Sequence, residues 1–126
     1  MSVMVIAGAS QGARLALELA AEAGLPALCA IPSFPAGYDV SRLMSMPGHV
    51  PFGFILGERD PANDRARPVI IALESAGVPI VTREMKGIGH ALPEAFASHA
   101  GAVLARLVDA AAAGEESGGS RRDSYG

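Results

Sequence analysis

Three side chains in this 126-residue chain are of the types, and in the order and local setting, that nucleophilic catalysis needs: Ser10, Asp60 and His90. A serine hydroxyl is a weak nucleophile at neutral pH. It becomes a strong one when an imidazole takes its proton, and the imidazole does this best when a carboxylate fixes its tautomer and supports the charge it gains. Ser10 stands at the centre of Gly8-Ala9-Ser10-Gln11-Gly12, Asp60 lies in Gly57-Glu58-Arg59-Asp60-Pro61, and His90 ends Gly87-Ile88-Gly89-His90. Glycine-rich polar turns of this kind hold side chains at the rim of a fold, not in its core. Glu58 and Asp64 are the alternative acids, and the other histidines, His49 and His99, are expected to be solvated.

The segments between these turns alternate in type. Residues 2–7 are apolar on both faces, as a central strand of a parallel sheet is. Residues 12–23 read as an amphipathic helix, with Leu15, Ala16, Leu19 and Ala23 inward, Arg14, Glu18 and Glu22 outward, and Gly24 as the stop. A second strand is expected at 26–31, a turn-rich exit at 32–38, and one short helix near 40–46. A third strand spans 51–57. Asn63 or Asp64 then caps a helix over 64–76, closed by Gly77. A fourth strand covers 78–84, and a last helix runs over 93–112 with Pro93 in its first turn. The pattern predicts an α/β fold: a parallel sheet of about four strands with flanking helices. Ser10, Asp60 and His90 then follow the first, third and fourth strands, at the carboxyl edge where function collects in such sheets. Residues 1–113 form the expected domain, and the Gly/Ser/charged stretch 114–126 is expected to be a disordered tail.

A strand that turns abruptly into a helix leaves little room at its apex. Gly8 and Gly12 are expected to be there because a Cβ at either flank would strike the neighbouring backbone, while Ser10 is pushed into a strained conformation with its hydroxyl standing clear. The helix start beneath it offers free N–H groups, that of Gln11 first, to a developing oxyanion.

With these features in hand, the chain resembles the α/β-hydrolases. Gly8-Ala9-Ser10-Gln11-Gly12 looks like their nucleophile elbow, Ile55-Leu56-Gly57-Glu58-Arg59-Asp60-Pro61 like their acid turn, and Gly87-Ile88-Gly89-His90 like their histidine loop, in the family order Ser, Asp, His. The flavour is that of the dienelactone-hydrolase and phospholipase/carboxylesterase branches, over about residues 2–112. The resemblance implies a serine hydrolase acting on a small carboxylic ester through an acyl-enzyme, with no cofactor and no metal. Ser10, Asp60 and His90 would be catalytic, the Gln11 N–H an oxyanion donor, Gly8 and Gly12 the elbow glycines, and Phe34, Tyr38, Met44 and Met46 candidates to line a pocket. Only the C-terminal half of the family's fold has a counterpart here. The strands before the elbow do not, nor does the loop that gives the second oxyanion donor, whose loss costs roughly a hundred- to a thousandfold in rate. The alternative is therefore a catalytically incomplete half-fold that associates, through residues 2–7, with itself or with an N-terminal hydrolase-half partner.

Composition narrows the other classes. A net charge of −3 with no basic stripe argues against nucleic acid, and no segment is apolar for long enough to span a bilayer. The start lacks a basic n-region and its apolar run reaches Gly8 early, so no secretory signal is expected and a cytoplasmic protein is the default. Cys29 is the sole cysteine, which excludes an internal disulfide and argues against a zinc site; its apolar surroundings predict a buried, inert thiol. Gly8-Ala9-Ser10-Gln11-Gly12 also resembles the NAD(P)-binding loop of short-chain dehydrogenases. Arg14 stands where that loop has its third glycine, however, and Tyr38 is followed by Arg42 where the family has lysine.

Overall fold

The structure, a computed structural model, describes residues 4–44 and 50–125, with side chains as far as Ala113. Strands β1 (Ile6–Ala9), β2 (Ala27–Ala30), β3 (Phe52–Gly57) and β4 (Ile80–Met85) form one sheet in the order β1-β2-β3-β4. Every pair is parallel; Ile6 stands beside Ala27, Ala27 beside Phe52 and Phe52 beside Ile80. All four carboxyl ends therefore lie along one rim. Each connection steps to the next strand in the same direction, and right-handed crossovers then put their helices on one face. Helices α1 (Gln11–Ala23) and α3 (Asn63–Ser75) share that face with the short α2 (Ser41–Met44), around Leu17, Phe34, Leu43, Phe52, Phe54 and Leu73. Helix α4 (Phe96–Tyr125) covers the other face, where Val103 and Leu107 meet Leu28, Ile55, Val81 and Met85.

The fold class is the expected one, and three details differ. Helix α1 presents Ala13, Ala16, Leu17, Ala20 and Ala21 to the sheet, while Leu15 and Leu19 are 51% and 57% exposed and Ala23 is exposed too. Small residues win the inner face because the helix lies close over Gly8, Ala27 and Cys29; the thiol of Cys29 reaches the Ala13 carbonyl at 3.5 Å. Helix α3 is preceded by Ala62 with no side-chain cap; Asn63 is already inside the helix, and its amide donates instead to the Gly57 carbonyl at 2.7 Å. Neither Asn63 nor Asp64 caps this helix. The first strand starts later than expected, at Ile6, and Ser2 and Val3 lie outside the described residues, as do Met46 and His49. The reading of 114–126 as a disordered tail stays an expectation.

Close approach explains a glycine in β3. A Cβ on Gly53 would lie 2.6 Å from a Val103 methyl and 3.0 Å from one of Leu107, so α4 seats directly on this strand. Burial pushes the Cys29 thiol up to about 12, which leaves it protonated and inert near neutral pH. Among the described residues no helix is long and apolar enough to cross a membrane, and no three His, Cys, Asp or Glu side chains gather as a metal site.

Candidate active site

Ser10 sits between the last residue of β1 and the first of α1, at φ 56° and ψ −122°. A non-glycine residue with positive φ is strained by roughly 1–3 kcal/mol and persists only where its surroundings hold it. Here the Ser10 N–H donates to the Ala30 carbonyl at 2.9 Å, and the Ser10 carbonyl accepts from Ala13 and Ser33. The turn is as tight as the sequence demands at Gly8, where a Cβ would lie 2.2 Å from the Gly12 carbonyl oxygen. At Gly12 the expectation fails: a Cβ there meets nothing within 4 Å. Ser10 does not cap α1, since its side chain makes no capping bond.

Its hydroxyl goes elsewhere. Ser10 Oγ lies 2.7 Å from His90 Nε2, and His90 Nδ1 lies 2.7 Å from Asp60 Oδ2. An ionised carboxylate can only accept, so Nδ1 carries the proton and Nε2 is left free to accept from the serine. The Asp60 side chain is 1% exposed and the His90 side chain 38%. Asp60 is fixed from its second oxygen as well: Oδ1 accepts the Ala62 N–H at 2.8 Å, and the Asp60 N–H bonds the Gly57 carbonyl. The three ends of β1, β3 and β4 thus bring together Ser10, Asp60 and His90. The Gln11 N–H stands next to Ser10 at the head of α1, where the first N–H groups of a helix lack internal partners.

Many solved structures share this arrangement of strands and helices. The S-formylglutathione hydrolase of Staphylococcus aureus superposes with a TM-score of 0.58 at 16% identity, over 85% of this chain and 50% of that one. The esterase of the archaeon Pyrobaculum calidifontis gives 0.59 at 16%, over 82% and 51%. An uncharacterised protein from Bacillus cereus gives 0.69 at 15%, over 84% and 37%. The chain carries part of an α/β-hydrolase fold. At these identities the likeness is one of fold, and this chain spans about half or less of the length of those structures. No family model and no curated protein sequence matches it.

Within this part of an α/β-hydrolase fold, the remaining singled-out residues have scaffold contacts. Phe34 is buried among the α1-side core and stacks tilted on Tyr38, with ring centroids 4.9 Å apart. The Tyr38 hydroxyl donates to Glu18 at 2.7 Å, and Glu18 pairs with Arg14, which ties the segment after β2 to α1. Burial and the Glu18 carboxylate both push the Tyr38 phenol up. Met44 packs partly buried against the same core. His99 is not simply solvated: its Nδ1 accepts from Arg83 Nε at 2.7 Å. Of the alternative acids, Asp64 is exposed in the first turn of α3, and Glu58 bonds the Gly87 N–H. A cavity of about 390 Å³ between α3 and β4, walled by Leu56, Ile70, Ile71 and Thr82, contains none of the three site residues.

Proposed function

We propose that the chain is a serine hydrolase of carboxylic esters, with Ser10 as nucleophile, His90 as base and acid, and Asp60 as the residue that orients His90. The observation that carries this reading is the unbroken chain from Ser10 Oγ through His90 to Asp60, with both links at 2.7 Å. Ser10 Oγ attacks the ester carbonyl carbon as its proton passes to His90 Nε2. The carbonyl oxygen takes the electron pair and is held by the Gln11 N–H. Collapse breaks the bond to the leaving oxygen, which takes the proton from His90 and departs as an alcohol. Water then attacks the acyl-enzyme, gives a proton to His90, and the acid leaves as the proton returns to Ser10 Oγ. Residues 32–50 are the one loop of any length and leave no room for a large lid, which favours a small soluble ester; the proposed location is the cytoplasm, and Phe34, Tyr38, Met44 and Met46 are the proposed pocket walls. The NAD(P)-loop reading has less support, because the Ser10 hydroxyl is engaged by His90.

A second reading rests on a different observation. Strand β1 is an edge of the sheet, and its surroundings are apolar on both sides of it. Met4 and, on α1, Leu15 and Leu19 are exposed, and so are Ala7 and Ala9, on the face of β1 turned away from α1. A bare strand would pair the edge but leave that face open. The surface fits a partner that brings both a parallel strand and a helix, an N-terminal hydrolase half, and such a partner would supply the second oxyanion donor. Without it, turnover of the isolated chain is lower by roughly a hundred- to a thousandfold.

Hydrolysis of short p-nitrophenyl esters, with light scattering on the same sample, tests both readings. The expected result is slow release of nitrophenol that disappears after treatment with a fluorophosphonate, from a chain that sizes as a monomer. Hydrolysis untouched by the fluorophosphonate contradicts the serine mechanism. A dimer assigns the β1 edge to a second copy of the chain instead.

A further inference from the structure

We infer that Glu58 is a positioning residue: its carboxylate latches the loop that presents His90 to Ser10. This rests on the proposed hydrolase reading, but the contact itself does not. Glu58 Oε1 accepts the Gly87 N–H at 2.7 Å, across a separation of 29 residues. Gly87, the second residue of the loop after β4, has φ +73°, a left-handed conformation that glycine takes readily. Two backbone bonds join the same segments: the Glu58 N–H to the Met85 carbonyl at 3.0 Å, and the Arg59 N–H to the Ile88 carbonyl at 2.8 Å. The loop also rests on Gly57, where a Cβ would lie 2.3 Å from the Gly89 carbonyl oxygen and 2.6 Å from that of Ile88.

These contacts make Asp60 and His90 one platform, built from the ends of β3 and β4. Ser10 belongs to a different part of the sheet, the end of β1. The distance between His90 Nε2 and Ser10 Oγ therefore depends on how the loop is held from beneath. Among the described residues, three ties reach the backbone of this loop from the β3 turn; of these only the Glu58 carboxylate is a side chain, and it meets the loop nearest its glycine pivot. A charged acceptor on a backbone N–H at the surface is a modest tie, so its loss loosens the loop without unfolding the sheet.

The test compares Glu58→Ala and Glu58→Gln with the wild-type chain. Two quantities are read: the rate of fluorophosphonate reaction at Ser10, and amide hydrogen exchange over residues 85–91. The expected result for Glu58→Ala is reaction slowed by about fivefold, faster exchange over 85–91, and unchanged exchange in α1 and β2. Glu58→Gln keeps an acceptor oxygen and is expected to restore most of both. Equal rates and equal exchange in all three proteins would overturn the latch, and so would an equal loss in Gln and Ala. If the wild type fails to react at all, the hydrolase reading fails, and the exchange data still decide the latch.

Discussion

Asp60→Asn is expected to leave the fold intact and to slow reaction at Ser10 by about a thousand- to ten-thousandfold. Both oxygens of Asp60 are in use: Oδ1 holds the Ala62 N–H and Oδ2 faces His90 Nδ1. The amide can keep an oxygen on Ala62, and its nitrogen then points at Nδ1. An NH₂ group donates, so Nδ1 is turned into an acceptor and the ring proton moves to Nε2. That nitrogen can no longer take the serine proton. The effect is one of tautomer and not of packing, and circular dichroism that matches the wild type beside the lost reaction rate checks it. A rate within tenfold of the wild type would mean that Asp60 does not orient the base.

Gly8→Ala is expected to have the largest effect on stability. The added Cβ would sit 2.2 Å from the Gly12 carbonyl oxygen, 2.6 Å from its carbon and 3.0 Å from the Ala13 nitrogen. All three are backbone atoms of α1, so no side chain can swing aside. The helix has to lift from β1, which breaks the contacts of Ala13, Leu17 and Ala20 with the sheet. Such overpacking typically costs about 1–3 kcal/mol, and here about 3 kcal/mol or more, because only backbone can give way. That is a large share of the roughly 5–15 kcal/mol that holds a domain together. Gly12→Ala is the control. It has open space and a helical position, and is neutral or stabilising by up to about 1 kcal/mol. Urea unfolding of the two variants beside the wild type measures the contrast.

Much of this site was legible in the sequence because each part of it is local. A strand that runs into Gly8-Ala9-Ser10-Gln11-Gly12 and a helix that runs out fix the serine without knowledge of the rest. Asp60 follows an apolar strand and His90 a mixed one, each precedes a helix, and a parallel sheet brings such turns to one rim. What could not be read is set by which surfaces meet. Helix α1 carries two apolar stripes, one of alanines with Leu17 and one with Leu15 and Leu19. Periodicity alone favours the leucines, whereas the close approach of β1 and β2 selects the small residues. The same blindness to spacing made Gly12 look as constrained as Gly8. The bond from Glu58 to Gly87 had no signal beyond an acidic residue beside the acid turn, because it joins segments far apart in the chain. The amide of Asn63 looked like a helix cap, and its true acceptor, the Gly57 carbonyl, belongs to the strand before it.

The most direct measurement is mass mapping of the chain after brief exposure to a fluorophosphonate, with Ser10→Ala alongside. An assembled Ser10, His90 and Asp60 should place one phosphonyl group on the peptide that contains Ser10 and none on the variant. An unmodified, folded wild-type chain, or modification that persists in Ser10→Ala, would show that the hydrogen-bonded chain does not activate this serine.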